Sequence, residues 1–205
     1  MAKQKISALF LDIGGVLLSD GWDHKARCKA VKVFHLNKKE LDERHNLTFH
    51  TYEEGKMTLS NYLKEIVFYK NRAFTQKEFT QFMFRQSHAH GNVIDYFKEI
   101  KKRYSLRIIA LSNEGRELNA FRFTKFKLTE LFDACVSSSF VHLRKPDADI
   151  FQIALDVSLT EPDESLYIDD RLMFVEVARM KGMHGIHYKG FKYLKAPMHS
   201  FGLSL

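Results

Sequence analysis

The stretch Leu9-Phe10-Leu11-Asp12-Ile13-Gly14-Gly15-Val16 carries an apolar run directly into an acid and two glycines. Ile6 to Leu11 is apolar enough to be buried on both faces, the pattern of a central strand in a parallel sheet. Asp12 then falls at the carboxyl end of that strand, the edge where open α/β sheets bind their ligands. Gly14 and Gly15 allow a tight turn and a close approach of backbone to an anion or metal at that edge. Taken alone, the segment reads as a strand end followed by a turn. Three later segments change that reading.

The run Leu106-Arg-Ile-Ile-Ala-Leu-Ser112-Asn113 is a second apolar strand, ending in a hydroxyl and an amide suited to donate hydrogen bonds to phosphate oxygens. A helix starting near Glu114 adds backbone N–H groups at the same place; by itself the pair is an ordinary helix cap. Arg144-Lys145-Pro146-Asp147 precedes the amphipathic run Ile150, Phe151, Ile153, Ala154, and Pro146 fixes the helix entry so that Lys145 is held in one direction. Leu166-Tyr167-Ile168-Asp169-Asp170 is a short strand ending in paired acids, whose mutual repulsion a hard divalent cation relieves.

In this order the four segments resemble the motifs of the haloacid dehalogenase-like superfamily, mostly Mg²⁺-dependent phosphatases. The likeness spans roughly residues 6 to 188. It implies Asp12 as the nucleophile that becomes an aspartyl-phosphate. It implies Ser112 and Lys145 as the groups that hold the phosphoryl oxygens, with Asn113 in support. Asp170 matches the acid that holds Mg²⁺ with Asp12, and Asp169 is either a further ligand or a partner that supports one. The family's residue two after the nucleophile binds the metal through its backbone carbonyl, which Gly14 retains. The substrate implied is a small phosphorylated metabolite.

Gly14 is also a departure, because most such phosphatases carry there an aspartate that protonates the leaving group. General acid–base assistance is worth about a hundred- to ten-thousand-fold in rate. Several sugar-phosphate phosphatases of the superfamily are similar in having glycine at this place. Three explanations stand open: a substrate with a good leaving group, an acid lent by the cap, with Asp23 and His24 as candidates, or a chain that binds a phosphorylated ligand and turns it over slowly. Dehalogenases of the superfamily use the same aspartate without a metal, and Asp169-Asp170 ranks them lower.

The reading is an α/β fold, a Rossmann-like parallel sheet with a helical cap inserted after the first strand. Residues 1–20 and 91–205 form the core and 21–90 the cap. Within the cap, helices are expected from Asp23 to Phe34, near Lys38 to His45 behind Asn37 and Glu40, from Thr58, and from a Thr75/Glu78 capping box through Phe84. Covering the site, such a cap excludes water and selects substrate. Beyond Gly91, Asn92 caps a helix through Tyr104, strands follow at Ala134 to Ser137 and His184 to Tyr188, and Met173 to Met180 is helical. The tail from Lys189 lacks periodicity and is expected to pack loosely or extend toward a partner.

At 205 residues the chain has room for one α/β core with a small insertion. No apolar run reaches membrane-spanning length, Met1 to Lys5 leads into the first strand without a cleavage region, and Cys28 and Cys135 stand apart. These features favour a cytoplasmic protein without a membrane partner. The net charge of +7 suits anionic substrates. It also raises nucleic acid as a rival ligand through Phe121, Phe123 and Phe126 interleaved with Arg122, Lys125 and Lys127. The favoured reading there is a helix with an apolar face and a solvated basic one. His88-Ala-His90 lacks acid or cysteine partners and reads as a loop pair, and Trp22 as a core-edge aromatic. Oligomeric state is left open.

Overall fold

The computed structural model describes residues 6–205. The apolar runs form five strands among these residues: β1 Ala8–Leu11, β2 Arg107–Ser112, β3 Ala134–Ser137, β4 Ser165–Asp169 and β5 His184–His187. They pair in the order β3-β2-β1-β4-β5, every pairing parallel. Register places Leu11 beside Ala110 and Ile168, so β1, β4 and β2 end within two residues of one another at the same edge. Asp12, Ser112 and Asp169 therefore meet at one edge.

Successive strand residues face opposite sides of the sheet. Leu9, Leu11, Ile108, Ala110, Leu166 and Ile168 pack on one face against Val93, Phe97 and Ile100 of helix α5, Val93–Tyr104. Phe10, Ile109, Leu111 and Tyr167 pack on the other against α8, Ala148–Ser158, and α9, Leu172–Met180. With helices packed on both faces of the parallel sheet, the central strands are buried on both sides, which explains why they are apolar throughout.

Four helices lie between β1 and α5: α1 His24–Val33, α2 Lys38–Glu53, α3 Leu59–Ile66 and α4 Gln76–Arg85. Their starts follow the sequence. Asp23, Asn37 and Thr58 accept from backbone N–H groups of their first turns, and Thr75 and Glu78 form a reciprocal box. The α2 helix runs eight residues beyond the expected His45, because nothing breaks it before Gly55 at φ +69° and Tyr52 is buried. These helices enclose their own apolar cluster, including Trp22, Tyr52, Tyr62, Phe79 and Met83, which Leu118 of the core joins.

The segment leading out, residues 12–23, and the one leading back, 86–92, run side by side. They are joined by Ser19 N–H to His88 C=O at 2.9 Å and His90 N–H to Leu17 C=O at 2.9 Å.

The expectation for the tail is corrected. Residues Phe191–Ser200 form a helix, α10, whose Leu194 and Met198 are buried in the main core, as is Leu203 beyond it. Tyr104 seals it, its hydroxyl donating to Ser204 C=O at 3.0 Å and accepting from Ser204 N–H at 2.9 Å. Pro197 inside the helix and basic residues interrupt the periodicity that would have announced it. Among the described residues no helix is long and apolar enough to cross a membrane.

Candidate active site

Asp12, Ser112 and Lys145 line one cleft of about 270 Å³ at the carboxyl edge of the sheet. Residues of the insertion, including Trp22, His24, Arg27, Phe49 and Glu53, line the same cleft. Lys145 enters it ahead of α8, immediately before the cis peptide bond to Pro146. Its Nζ lies 3.0 Å from Asp12 Oδ1, 2.8 Å from Asp169 Oδ2, 2.9 Å from Leu111 C=O and 3.0 Å from the Tyr167 hydroxyl. The two carboxylates outweigh the cost of burial and hold the Lys145 ammonium above its ordinary range.

Asn113 holds Lys145 in turn, since its Nδ2 donates to Lys145 C=O and its Oδ1 accepts from Lys145 N–H, both at 2.8 Å. The amide is therefore engaged with backbone, whereas the sequence suggested a donor for phosphate oxygens. Ser112 is buried and lines the cleft beside Asp12.

Asp169 accepts from Lys145, from the Tyr167 hydroxyl and, through Oδ1, from Arg171 N–H at 2.7 Å. Asp170 differs, because its Oδ1 is buried without a hydrogen-bond partner. One oxygen each of Asp12, Asp169 and Asp170 lie within 4.8 Å of one another, a spacing a metal ion can bridge. One ammonium against three carboxylates leaves the cluster negative. Burial pushes Asp12 up to about 7, against the pull of Lys145 and with the help of Asp169. Burial pushes Asp170 up to about 6, helped by Asp169 and Asp20. A divalent cation supplies the missing charge and the missing partner for Asp170, so the donor set fits a hard cation. Gly15, at φ +76°, makes the approach feasible, since a Cβ there would collide with the Asp170 carboxylate.

Two features were missed by the sequence reading. Arg122, expected on a solvated face, is 1% exposed and bound to Glu114 Oε2 at 2.7 Å, Ser19 C=O at 3.0 Å and Ser87 Oγ at 3.2 Å. It thus ties both connecting segments to α6, Arg116–Lys125. The rest of the reading of that helix holds: Phe123 and Phe126 pack on the core while Lys125 and Lys127 are exposed. Glu114, pushed up to about 7 by burial despite Arg122, was marked only as a helix start. The second is Asp20. The loop after β1 doubles back, with Leu17 and Leu18 N–H bonding Ile13 C=O and Gly15 N–H bonding Leu18 C=O at 2.7 Å, and this returns Asp20 to Gly14. No local periodicity announces that return.

Of the proposed acids from the insertion, Asp23 accepts from Ala26 N–H at 2.7 Å as the cap of α1, and the His24 ring lies 3.4 Å from Cys28 Sγ. Trp22 is buried and donates to the Tyr62 hydroxyl at 2.9 Å. Asp12, Asp169 and Asp170 make up the one acid or histidine group of cation-binding spacing among the described residues, and His88 and His90 lie outside it.

A family model described as haloacid dehalogenase-like hydrolase matches residues 25–187. No curated protein matches the chain. Among solved structures, a HAD family enzyme from Bacteroides thetaiotaomicron is 20% identical with a TM-score of 0.81, covering 96% of this chain and 98% of that one. Its wild-type complex with magnesium and inorganic phosphate is 19% identical with a TM-score of 0.79, covering 94% and 98%. A dehalogenase is 16% identical with a TM-score of 0.65, covering 92% and 86%. At such identities the likeness is one of fold.

Proposed function

The chain belongs to the haloacid dehalogenase-like hydrolase family, and we propose that it is a Mg²⁺-dependent phosphatase acting on a small phosphorylated metabolite through an aspartyl-phosphate at Asp12. The observation that carries this is the buried acid cluster with the unpartnered Asp170 Oδ1. A hydrolase cleaving a carbon–halogen bond has no use for such a cation-binding group. That a relative of the same fold is recorded with magnesium and inorganic phosphate supports the reading.

In this mechanism Asp12, Asp170 and the Gly14 carbonyl would hold Mg²⁺, which when bound offsets charge on the phosphoryl group. Asp169 stands beside them and anchors Lys145. Asp12 attacks phosphorus in line with the leaving oxygen. Ser112 and Lys145 hold the non-bridging oxygens, Lys145 by exchanging one of its present oxygen partners for the substrate. Asn113 fixes the Lys145 backbone so that the ammonium needs no reorganisation when charge develops. Helices α1 and α2 roof the cleft and exclude water.

Asp12→Asn, nearly isosteric but a poor nucleophile, is expected to abolish turnover of aryl phosphates while leaving the circular dichroism spectrum unchanged. Near wild-type turnover in that variant, or full activity in excess chelator, contradicts the proposal. Chelator-insensitive release of halide from a 2-haloacid would instead favour the dehalogenase reading, which the similarity to a dehalogenase keeps in view.

A further inference from the structure

An alkoxide leaves phosphorus poorly unless it is protonated as the bond breaks. Given the phosphatase reading above, hydrolysis of an alkyl ester therefore calls for an acid that faces the cleft near Asp12 without being committed elsewhere. Four of the candidates lining the cleft are engaged: Asp23 caps α1, His24 meets Cys28, Glu53 pairs with Arg144 and Glu114 pairs with Arg122. Asp20 is the exception, since its carboxylate makes no hydrogen bond or ion pair among the described residues.

Its position is specific. A Cβ built on Gly14 would lie 3.4 Å from Asp20 Oδ1 and 3.6 Å from Asp20 Cα. Asp20 thus borders the space that a side chain at position 14 would enter, with its carboxylate in contact with that space. The placement is held from behind: Arg122 binds the preceding carbonyl of Ser19, Trp22 N–H donates to Asp20 C=O at 3.0 Å, and Gly21, at φ +75°, leaves room for the guanidinium of Arg122.

We propose that Asp20 is the proton donor to the leaving group, supplied from the returning loop in place of residue 14. In the first half-reaction Asp12 forms a bond to phosphorus, the bond from phosphorus to the ester oxygen breaks, its electron pair stays on that oxygen, and the Asp20 proton joins it to release an alcohol. In the second, the Asp20 carboxylate takes a proton from water as the water oxygen attacks phosphorus. The bond to Asp12 then breaks, freeing inorganic phosphate and restoring both carboxyl groups.

The test is turnover with Mg²⁺ across phosphate esters of graded leaving-group basicity, from acidic phenols to simple alcohols, in wild type, Asp20→Asn and the double variant Asp20→Asn with Gly14→Asp. Asp20→Asn is expected to lose about a hundred- to ten-thousand-fold on alkyl phosphates and little on the most acidic phenol. The double variant, with a carboxyl group in the adjoining space, is expected to recover part of the alkyl rate, since position 14 offers ordinary contacts to a Cβ. An equal loss across the whole series, or no loss, overturns the assignment of Asp20 alone. Failure of wild type to hydrolyse any member overturns the phosphatase reading and this assignment with it.

Discussion

At the level of single residues, the site is a charge imbalance held in place by burial. Lys145 offers three N–H donors to four oxygens, yet its one charge cannot offset Asp12, Asp169 and Asp170 together. Asp12 at about 7 and Asp170 at about 6 both lie above the unfolded carboxylate value of 3.8. Groups raised in this way favour the fold while protonated, and that contribution is lost as pH rises through the folded values. The metal-free protein is therefore expected to lose stability between about pH 4 and pH 7, and Mg²⁺, which displaces those protons, to bind more tightly as pH rises. Thermal denaturation with and without Mg²⁺ checks this: the increment in Tm should grow from about pH 5 to about pH 8, and an increment that shrinks contradicts it.

Gly15→Ala is a sharper probe, because it strains a left-handed backbone by roughly 1–2 kcal/mol and drives a methyl group into Asp170. Mg²⁺ affinity should fall about 10- to 100-fold by calorimetry. Asp12, Lys145 and Asp170 were legible because each ends a strand or precedes a proline, where local sequence dictates direction. Asp20 and Arg122 were not, since one depends on a loop doubling back and the other on a partner, Ser19, more than a hundred residues away.

At the level of elements, the strands and the helix starts were legible for the same local reasons: apolar runs bounded by turn residues, and side chains that cap the first turn. Helix lengths were less so. The second half of α2 carries Leu47 exposed and Tyr52 buried, a pattern that local periodicity does not resolve. In α10 the tertiary environment overrides a proline and the interspersed Lys192 and Lys195, because Leu194, Met198 and Leu203 join the buried cluster that includes Val93, Phe97 and Ile100 of α5. Met198→Ala is accordingly expected to cost about 2–5 kcal/mol, as a buried truncation with partial collapse of the cavity does. Chemical denaturation reads it, and a change below about 1 kcal/mol would mean that α10 is only loosely attached.

At the level of the whole molecule, sheet and insertion share one cleft, and Arg122 fastens both connecting segments to α6 beside it. The chain carries a net charge of +7 and, at the site, a locally negative cluster, so the overall charge would favour the anionic substrate proposed and the acids the cation. The central claim is that Asp12 takes the phosphoryl group. Rapid quench of the protein with Mg²⁺ and an aryl phosphate, followed by peptide mass spectrometry, tests it most directly. The account predicts an acid-stable, hydroxylamine-sensitive phosphoryl adduct on Asp12 that forms in the presence of Mg²⁺ and does not form when chelator is added before the substrate. Turnover with no adduct on Asp12 at any quench time, or an adduct on another residue, would contradict it.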